Sequence, residues 1–349
     1  MTVKGVLSIL FVLICINTYG QKKKQQKPQH RVIAIGSYNC ENFFDIVHDT
    51  TKKDDEFTPN GEYHYTAEVY KQKVHNIATV VEKMGTDVTP DGAAILGLVE
   101  VENDSVLKDL VAQPEIKQRA YKYIWFPTPD DRGISTAMLY NPKYFELLSA
   151  RPLHVPLESL GQKRHTRDIL FVSGVLAGDT IYILVNHWPS KSGGEAASAP
   201  GRRLAATIDK KIVDSLIEKN PNTKLLIMGD FNDNPTSEGI SVVLDCKEDK
   251  AEVKLKDIYN PWTSMYRKGM GTENFQGEWN MIDQIMLSGS FLKNNNKKWK
   301  FYNNEIYNRE FLINKIGKDK GLPHRSFTIG SAWDNGYSDH FPVLVYLVD

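Results

Sequence analysis

The sequence has little cysteine, with three residues of this type in 349. A disulfide-rich scaffold and a cysteine-ligated zinc site are therefore excluded, because both need more cysteines at closer spacing. Cys15 lies in an apolar leader, which leaves Cys40 and Cys246. These two could pair or could pack as small buried hydrophobic side chains, and the sequence favours packing.

The chain also lacks an excess of charge of one sign, since it has 43 Lys+Arg and 43 Asp+Glu. This balance excludes a strongly basic coat for nucleic acid, although local basic patches remain compatible with it. After residue 30 the sequence has no Pro- or Ser-rich linker and no internal repeat. One domain over residues 31–349 is the simplest interpretation.

No apolar run reaches the roughly 18 residues that a membrane-spanning helix needs. The run 6–16 follows Lys4 and precedes Thr18-Tyr19-Gly20. This pattern predicts a cleaved signal peptide over 1–20, with a retained anchor or a buried first element as the alternative. The polar, basic residues 21–30 predict a flexible tether. The chain is therefore expected to be secreted or periplasmic, without stable insertion into a membrane.

Apolar runs rich in Val and Ile predict buried strands. They cover residues 32–38, 93–99, 135–140, 169–176, 181–185, 224–228, 281–287 and 341–347. Two further segments, 66–84 and 201–218, have the apolar spacing of amphipathic helices. Strands mixed with helices along the whole chain predict a layered α/β or α+β domain.

Short polar clusters lie at or near the ends of six of these runs. They are NCEN (39–42), EVEN (100–103), NHW (186–188), GDFND (229–233), DQ (283–284) and SDH (338–340). Carboxylates, amides and imidazoles held at rigid strand ends suit metal-assisted hydrolysis of a phosphate ester. Taken singly, each cluster also fits a solvent-facing acid, an Asx turn or a packed histidine. A Ser-His-Asp triad is disfavoured because no Gly-x-Ser-x-Gly motif is present.

The succession SYNCEN, LVE, NHW, GDFN, IDQI and SDHFP resembles the endonuclease/exonuclease/phosphatase superfamily, which has the deoxyribonuclease-I-like fold. The resemblance covers residues 31–349. It implies an α+β, four-layer sandwich in which two mixed β-sheets face each other between outer helices. GDFN and SDHFP are its most specific motifs.

The resemblance also implies a role for each matching residue. Glu100 would be the main ligand of Mg²⁺ or Mn²⁺, with Asn39 and Asp339 beside it and Ca²⁺ as a further candidate ion. The implied catalytic residues are His187, Asp230, Asn232, Asp283 and His340. Among them, Asp283 would orient His340. Which histidine activates water stays open, and no carboxylate is evident for orienting His187.

Glu41 is an additional acid beside Asn39, and it could ligate a metal or pair with a cation. Three cations near the NHW cluster, Lys191, Arg202 and Arg203, could bind substrate phosphates. As the alternative, the two arginines are solvated helix charges.

Residues 291–320 carry eight Lys/Arg against three Asp/Glu. Among these charges lie Trp299, Phe301, Tyr302 and Tyr307. Such a segment could bind phosphates and stack bases, or it could be a solvated surface insertion.

These features favour a secreted, metal-dependent phosphodiesterase that acts as a nuclease on DNA or RNA. The first alternative is a phosphatase or phospholipase-type hydrolase acting on inositol phosphates or sphingomyelin. The second is an inactive binding module on the same scaffold. No protein partner is predicted, and a monomer is the default expectation.

Overall fold

Two mixed β-sheets and five helices make up the fold in the computed structural model, which describes residues 31–293 and 298–349. The strands are β1 (Val32–Phe43), β2 (Ala93–Val101), β3 (Lys122–Trp125), β4 (Ser135–Tyr140), β5 (Phe145–Leu153), β6 (Ile169–Leu176), β7 (Asp179–His187), β8 (Lys224–Asp230), β9 (Cys246–Lys247), β10 (Ile258–Tyr259), β11 (Glu273–Phe275), β12 (Glu278–Asn280), β13 (Asp283–Ser288), β14 (Lys300–Ile306) and β15 (Val343–Val348). The helices are α1 (Ala67–Lys83), α2 (Asp104–Val111), α3 (Pro114–Lys117), α4 (Glu195–Lys219) and α5 (Thr263–Tyr266).

The first sheet has the strand order β14-β15-β1-β2-β4-β3, and the second has the order β5-β6-β7-β8-β13-β10-β9. Apolar side chains of the two sheets meet in one core, where Leu96 and Leu98 of β2 share a cluster with Val185 and Met228 of the second sheet. Strands β11 and β12 form a separate hairpin.

Helices cover the outer face of each sheet. The stripe Val74, Ile77 and Val81 of α1 is buried against the first sheet. Ala205 and Val213 of α4 are buried with residues of β8 on the second sheet. The predicted four-layer α+β sandwich is thereby confirmed, because helix, sheet, sheet and helix follow in that order.

The predicted strands 135–140 and 169–176 have the predicted bounds. Strands β1, β2, β7 and β8 extend into the polar clusters that follow them, whereas β13 and β15 each begin two residues later than predicted. Strand β5 was not predicted. It lies at a sheet edge with mostly exposed residues, so it has no continuous apolar run. Helix α4 begins six residues before the predicted 201 and contains Pro200.

Cys40 and Cys246 are free thiols, and Cys40 is buried, as the packing interpretation predicts. The predicted signal peptide (1–20) and tether (21–30) lie outside the described residues. Among the residues that are described, no helix is long and apolar enough to cross a bilayer.

The structure corrects the base-stacking interpretation of residues 291–320. Trp299, Phe301 and Tyr307 are core residues with at most 8% exposure, so their rings are unavailable to nucleic acid. Only Tyr302, at 66%, is exposed among the four aromatic residues that carried this interpretation. Strand β14, which holds Phe301 and Tyr302, pairs with β15 at the edge of the first sheet.

Asp209 of α4 gives a prediction about stability. The residue is fully buried, and within the described chain neither carboxylate oxygen has a hydrogen bond of normal geometry. Burial raises the pKa of Asp209 well above its usual value. Folding therefore takes up a proton from about pH 4, the ordinary aspartate pKa, up to the folded pKa. Across that window the free energy of unfolding falls as pH rises.

We expect Asp209→Asn to remove this dependence, which amounts to as much as about 1.4 kcal/mol per pH unit. Urea unfolding at pH 5 and pH 8 measures the slope. Asp214→Asn, which changes an exposed acid paired with Lys210 on the same helix, is the matched control. Equal slopes for the wild-type protein and Asp209→Asn would contradict the prediction.

Candidate active site

Three predicted catalytic residues lie side by side across the second sheet. Asp230 ends β8, where it pairs in register with His187 of β7 on one side and with Asp283 of β13 on the other. Gly229 makes this close approach feasible, because its φ is +132° and a Cβ there would lie 1.9 Å from the Asn186 carbonyl oxygen. The strand register thus places an imidazole and two carboxylates in one row.

His340 joins this row from the segment before β15. Its Nδ1 lies 2.7 Å from Asp283 Oδ2, and both side chains are buried. Burial alone would lower the pKa of His340, but the Asp283 carboxylate, with Asp339 and Asp230, outweighs it and raises that pKa well above its usual value. Asp283 therefore fixes the orientation of the ring and favours an imidazolium with Nε2–H free of Asp283.

The first sheet contributes Asn39 and Glu100. Two irregularities in strand pairing, between β1 and β2 and between β2 and β4, flank these residues. Glu100 has a φ of +61°, which is uncommon for a residue with a Cβ. Its Oε2 accepts a hydrogen bond from the Asn42 N–H at 2.7 Å, and the bulge turns its side chain toward the second sheet.

Contacts between the sheets complete the site. Asn39 Nδ2 donates to Asp230 Oδ2 at 3.1 Å, and His187 Nε2 lies 3.9 Å from Glu100 Oε1 and 3.6 Å from Asp230 Oδ2. Asn232 donates its backbone N–H to Asp230 Oδ1 at 2.8 Å. Asn39, Glu100, His187, Asp230, Asn232 and His340 line one cleft of about 500 Å³.

The two histidines are held in different protonation states. Burial lowers the pKa of His187 well below its usual value, and the nearby guanidinium groups of Arg167 and Arg132 lower it further. His187 Nδ1 is buried and has no hydrogen-bond partner among the described residues. Asp131 does not orient His187, since it pairs with His165 at 3.0 Å. The site therefore combines a neutral His187 with a charged His340.

The oxygen donors of this cleft fit a divalent metal ion. Burial and the neighbouring Asp283 carboxylate raise the pKa of Asp230 to about 7. Ligand atoms of Asp230, Asp283 and His340 lie within 4.8 Å of one another, and Asp283 Oδ1 is buried without a partner among the described residues. Adjacent buried carboxylates repel each other, and a hard cation with oxygen ligands relieves that repulsion.

Asp283 and His340 also belong to this group of possible metal ligands. We do not count them as ligands, because Asp283 Oδ2 already accepts a hydrogen bond from the His340 ring. Asn39 and Glu100 then remain as the candidate ligands of a cation, and Asp230 lies beside them. Asp339, the third predicted ligand, lines an adjacent cavity, and its Oδ1 lies 3.8 Å from His340 Nε2. Its Oδ2 accepts from Arg325 at 2.9 Å, and its role as a metal ligand stays a prediction.

The predicted substrate-binding role of Arg202 is wrong. Its side chain is 1% exposed, and its guanidinium donates to Asp233 at 2.7 Å, to Ser198 at 2.9 Å and to Glu195. A guanidinium enclosed by these partners is inaccessible to a substrate phosphate. Arg203 and Lys191 are exposed, near Glu238 and Glu195 respectively, and the cleft is lined instead by Ser190 and Ser192.

Sequence reasoning missed the basic residues that do line the cleft. We call Lys53, Arg132, Arg164 and Arg167 the cationic wall. They come from three loops far apart in the sequence, so no single run marks them. The short stretches DDRG (130–133) and RHTRD (164–168) are the only local signals.

Two roles were predicted for Glu41, metal ligation and pairing with a cation, and the structure agrees with the second. Its Oε2 accepts from the Ser326 N–H at 2.6 Å, and its Oε1 lies 3.8 Å from Arg325 Nε. The fully buried Lys73 donates to the Ser326 side chain and to the Tyr337 carbonyl oxygen at 3.1 Å. This buried network lies beneath the loop that carries Asp339.

The fold is shared with solved structures of low sequence identity. TDP2 from Caenorhabditis elegans is 16% identical, with a TM-score of 0.52 over 91% of this chain and 98% of that one. The mannosyl-6-phosphatase Bt3783 from Bacteroides thetaiotaomicron is 15% identical, with a TM-score of 0.53 over 91% of this chain and 100% of that one. D. rerio TDP2, solved with a single-strand DNA product, is 11% identical, with a TM-score of 0.50 over 90% and 98%.

No curated protein sequence matches the chain. The family model described as the endonuclease/exonuclease/phosphatase family matches residues 34–349, nearly the whole of the described structure. The motif order, the two facing sheets and the cleft between their strand ends agree with that match. Phosphoric ester hydrolysis, typically with a divalent metal ion, characterises this family. The chain belongs to the endonuclease/exonuclease/phosphatase family.

Proposed function

We propose that the protein is an exported, Mg²⁺-dependent phosphodiesterase that hydrolyses phosphodiester bonds of nucleic acid. The observation that carries the proposal is the convergence of Glu100, Asp230 and the Asp283–His340 pair in one cleft. Export depends on the predicted signal peptide. The preference for nucleic acid is supported by the cationic wall, since polynucleotide backbones are recognised first by their phosphates.

The residues of the cleft can perform the proton transfers of hydrolysis. Asp230, with a pKa near 7, accepts a proton from water as the water oxygen attacks phosphorus. The bond from phosphorus to the leaving oxygen breaks, and the His340 imidazolium donates its Nε2 proton to that oxygen. Asn39 and the Asn232 N–H hold the Asp230 carboxylate in place. A bound Mg²⁺ would polarise the phosphoryl group.

The test is nicking of supercoiled plasmid DNA by the purified protein in Mg²⁺, with and without EDTA, and with Glu100→Gln as the blank. Mg²⁺-dependent nicking that is absent from the blank would support the proposal. Single-stranded DNA, RNA, sphingomyelin, inositol phosphates and mannose 6-phosphate are assayed in parallel. Turnover of only the last three would replace the nuclease by a phospholipase or phosphatase, and no turnover at all would favour the inactive binding module.

A further inference from the structure

The cleft is lined by more cations than the proposed reaction uses. Asn39, Glu100, Asp230 and Glu273 give it a predominantly acidic set of residues. Lys53, Arg132, Arg164 and Arg167 also line it, and they outnumber Asp130 and Asp131. The reaction proposed for a single scissile phosphate assigns no role to these cations.

Two of these cations are available to a ligand. The Arg164 guanidinium donates from Nε to the neutral Gln162 Oε1 at 3.0 Å, and no carboxylate of the described chain lies within 4.0 Å of it. Lys53 is 78% exposed at its side chain, and its Nζ is 3.9 Å from Asp131, beyond a normal hydrogen bond. Arg132 lies beside the candidate metal ligand Glu100, with Nη2 3.6 Å from Glu100 Oε1.

Internal hydrogen bonds fix the loops that carry Lys53 and Arg132. Lys52 Nζ donates to the carbonyl oxygens of Thr128 and Asp130, at 3.1 and 2.8 Å, and the Lys53 N–H donates to the Asp131 carbonyl oxygen. Gly133 closes the turn with a φ of +86°, where a Cβ would press on the Lys52 side chain. The backbone positions of Lys53 and Arg132 are therefore built into the fold.

Arg167 joins the outer cations to the reaction centre. It is 5% exposed, and it donates to the Trp188 carbonyl oxygen at 2.7 Å and to Asp130 at 3.4 Å. Its Nε is buried without a hydrogen-bond partner among the described residues, although the side chain lines the cleft. An unpartnered buried N–H of a guanidinium is costly unless an acceptor reaches it.

We propose that Lys53, Arg132 and Arg164 form a second anion subsite, which binds a phosphate adjacent to the scissile one in the substrate. The inference rests on the proposed phosphodiesterase function and extends it to the substrate class: a polynucleotide with consecutive phosphates, rather than an isolated diester. Guanidinium groups suit this task because they bind phosphate oxygens in a bidentate manner.

The test compares the dinucleotide dTpdT with pdTpdT and dTpdTp, which carry one additional phosphate at the 5′ or 3′ end. We expect kcat/KM for at least one phosphorylated form to exceed that for dTpdT by about tenfold, which corresponds to about 1.4 kcal/mol. The double variant Lys53→Gln/Arg164→Gln should lose this preference, because its kcat/KM for the preferred phosphorylated form should fall about tenfold more than its kcat/KM for dTpdT. Equal preference in wild type and variant, or none in wild type, would overturn the subsite.

The control is Arg267→Gln/Lys211→Gln, which removes the same two charge types from exposed positions outside the cleft. Calorimetric binding of the same dinucleotides in EDTA separates the two proposals. If none of the three is hydrolysed but the wild-type protein binds a phosphorylated form more tightly and the double variant does not, the nuclease assignment fails and the subsite stands. If all three are hydrolysed and bound equally, the subsite fails and the phosphodiesterase stands.

Discussion

Glu100→Gln should reduce kcat by about 10³-fold or more at neutral pH while the fold is kept. The carboxylate is the acid that the β-bulges bring from the first sheet to the row of residues on the second. A glutamine keeps the side-chain length, and its amide oxygen can still accept from the Asn42 N–H. The substitution therefore removes a negative charge with little loss of packing. A catalytic metal ion supplies several kcal/mol of transition-state stabilisation, and each 1.36 kcal/mol is a factor of ten in rate.

A second readout tests the metal-binding role apart from turnover. Mg²⁺ that binds the native protein raises its melting temperature by mass action. We expect this rise in the wild-type protein and a clearly smaller rise in Glu100→Gln. A variant with wild-type turnover, or with an undiminished response to Mg²⁺, would contradict the assignment of Glu100.

Glu102→Gln is the matched control, two residues along the chain. Burial raises the pKa of Glu102 to about 8, so this side chain is already largely neutral at pH 7. It accepts from the Asp45 N–H at 2.6 Å and lines a different cavity from that of the active site. Activity and Mg²⁺ response should therefore stay close to the wild-type values.

Asp283→Asn should lower kcat by about 10²–10⁴-fold, the range typical of a lost acid–base contribution. Asparagine can still accept a hydrogen bond from His340 Nδ1, so the ring keeps its orientation but loses the adjacent negative charge. Because Asp283 is the main cause that raises the pKa of His340, that pKa should fall in the variant. The protonated ring is then lost at lower pH, and the basic limb of the pH–rate profile moves in the acidic direction.

NMR titration of the histidine Cε1–H signals, with the His340 signal assigned by comparison with His340→Gln, measures this pKa directly. Glu115→Gln is the control, because it removes the carboxylate paired with His75 at 2.9 Å, on helices remote from the cleft. Its activity and pH profile should match those of the wild-type protein. An unchanged His340 titration in Asp283→Asn would refute the role given to the pair.

The apolar runs determined most of the strands, and the polar clusters at their ends determined the candidate catalytic residues. Both are local signals. A buried strand is marked by a continuous run of Val and Ile, and the change to Asn, Asp or His marks the end of that run. The motif order also predicted the family, which the family model confirms. Strand β5 was missed because an exposed edge strand carries no such signal.

Only the tertiary structure decided which side chains meet. Strand register placed His187, Asp230 and Asp283 in one row. Burial lowers the pKa of His187, whereas the carboxylate of Asp283 raises that of His340, so the two histidines differ in protonation state. Burial likewise removed Arg202 from the substrate site, by enclosing it with Asp233 and Glu195, and placed Trp299 in the core. Nothing in the local sequence around Arg202 distinguishes a solvated arginine from a buried one.

The cationic wall shows most clearly that the sequence does not reveal which distant side chains meet. Lys53, Arg132 and Arg164 are separated by up to 111 positions, and Lys52 ties the loop of Lys53 to that of Arg132. Such a cluster has no periodicity and no motif. The sequence by itself determined the strands, the family and the reactive groups, because those are properties of neighbouring residues. The tertiary structure decided protonation, pairing and the residues that line the cleft, because those depend on distance and burial in space.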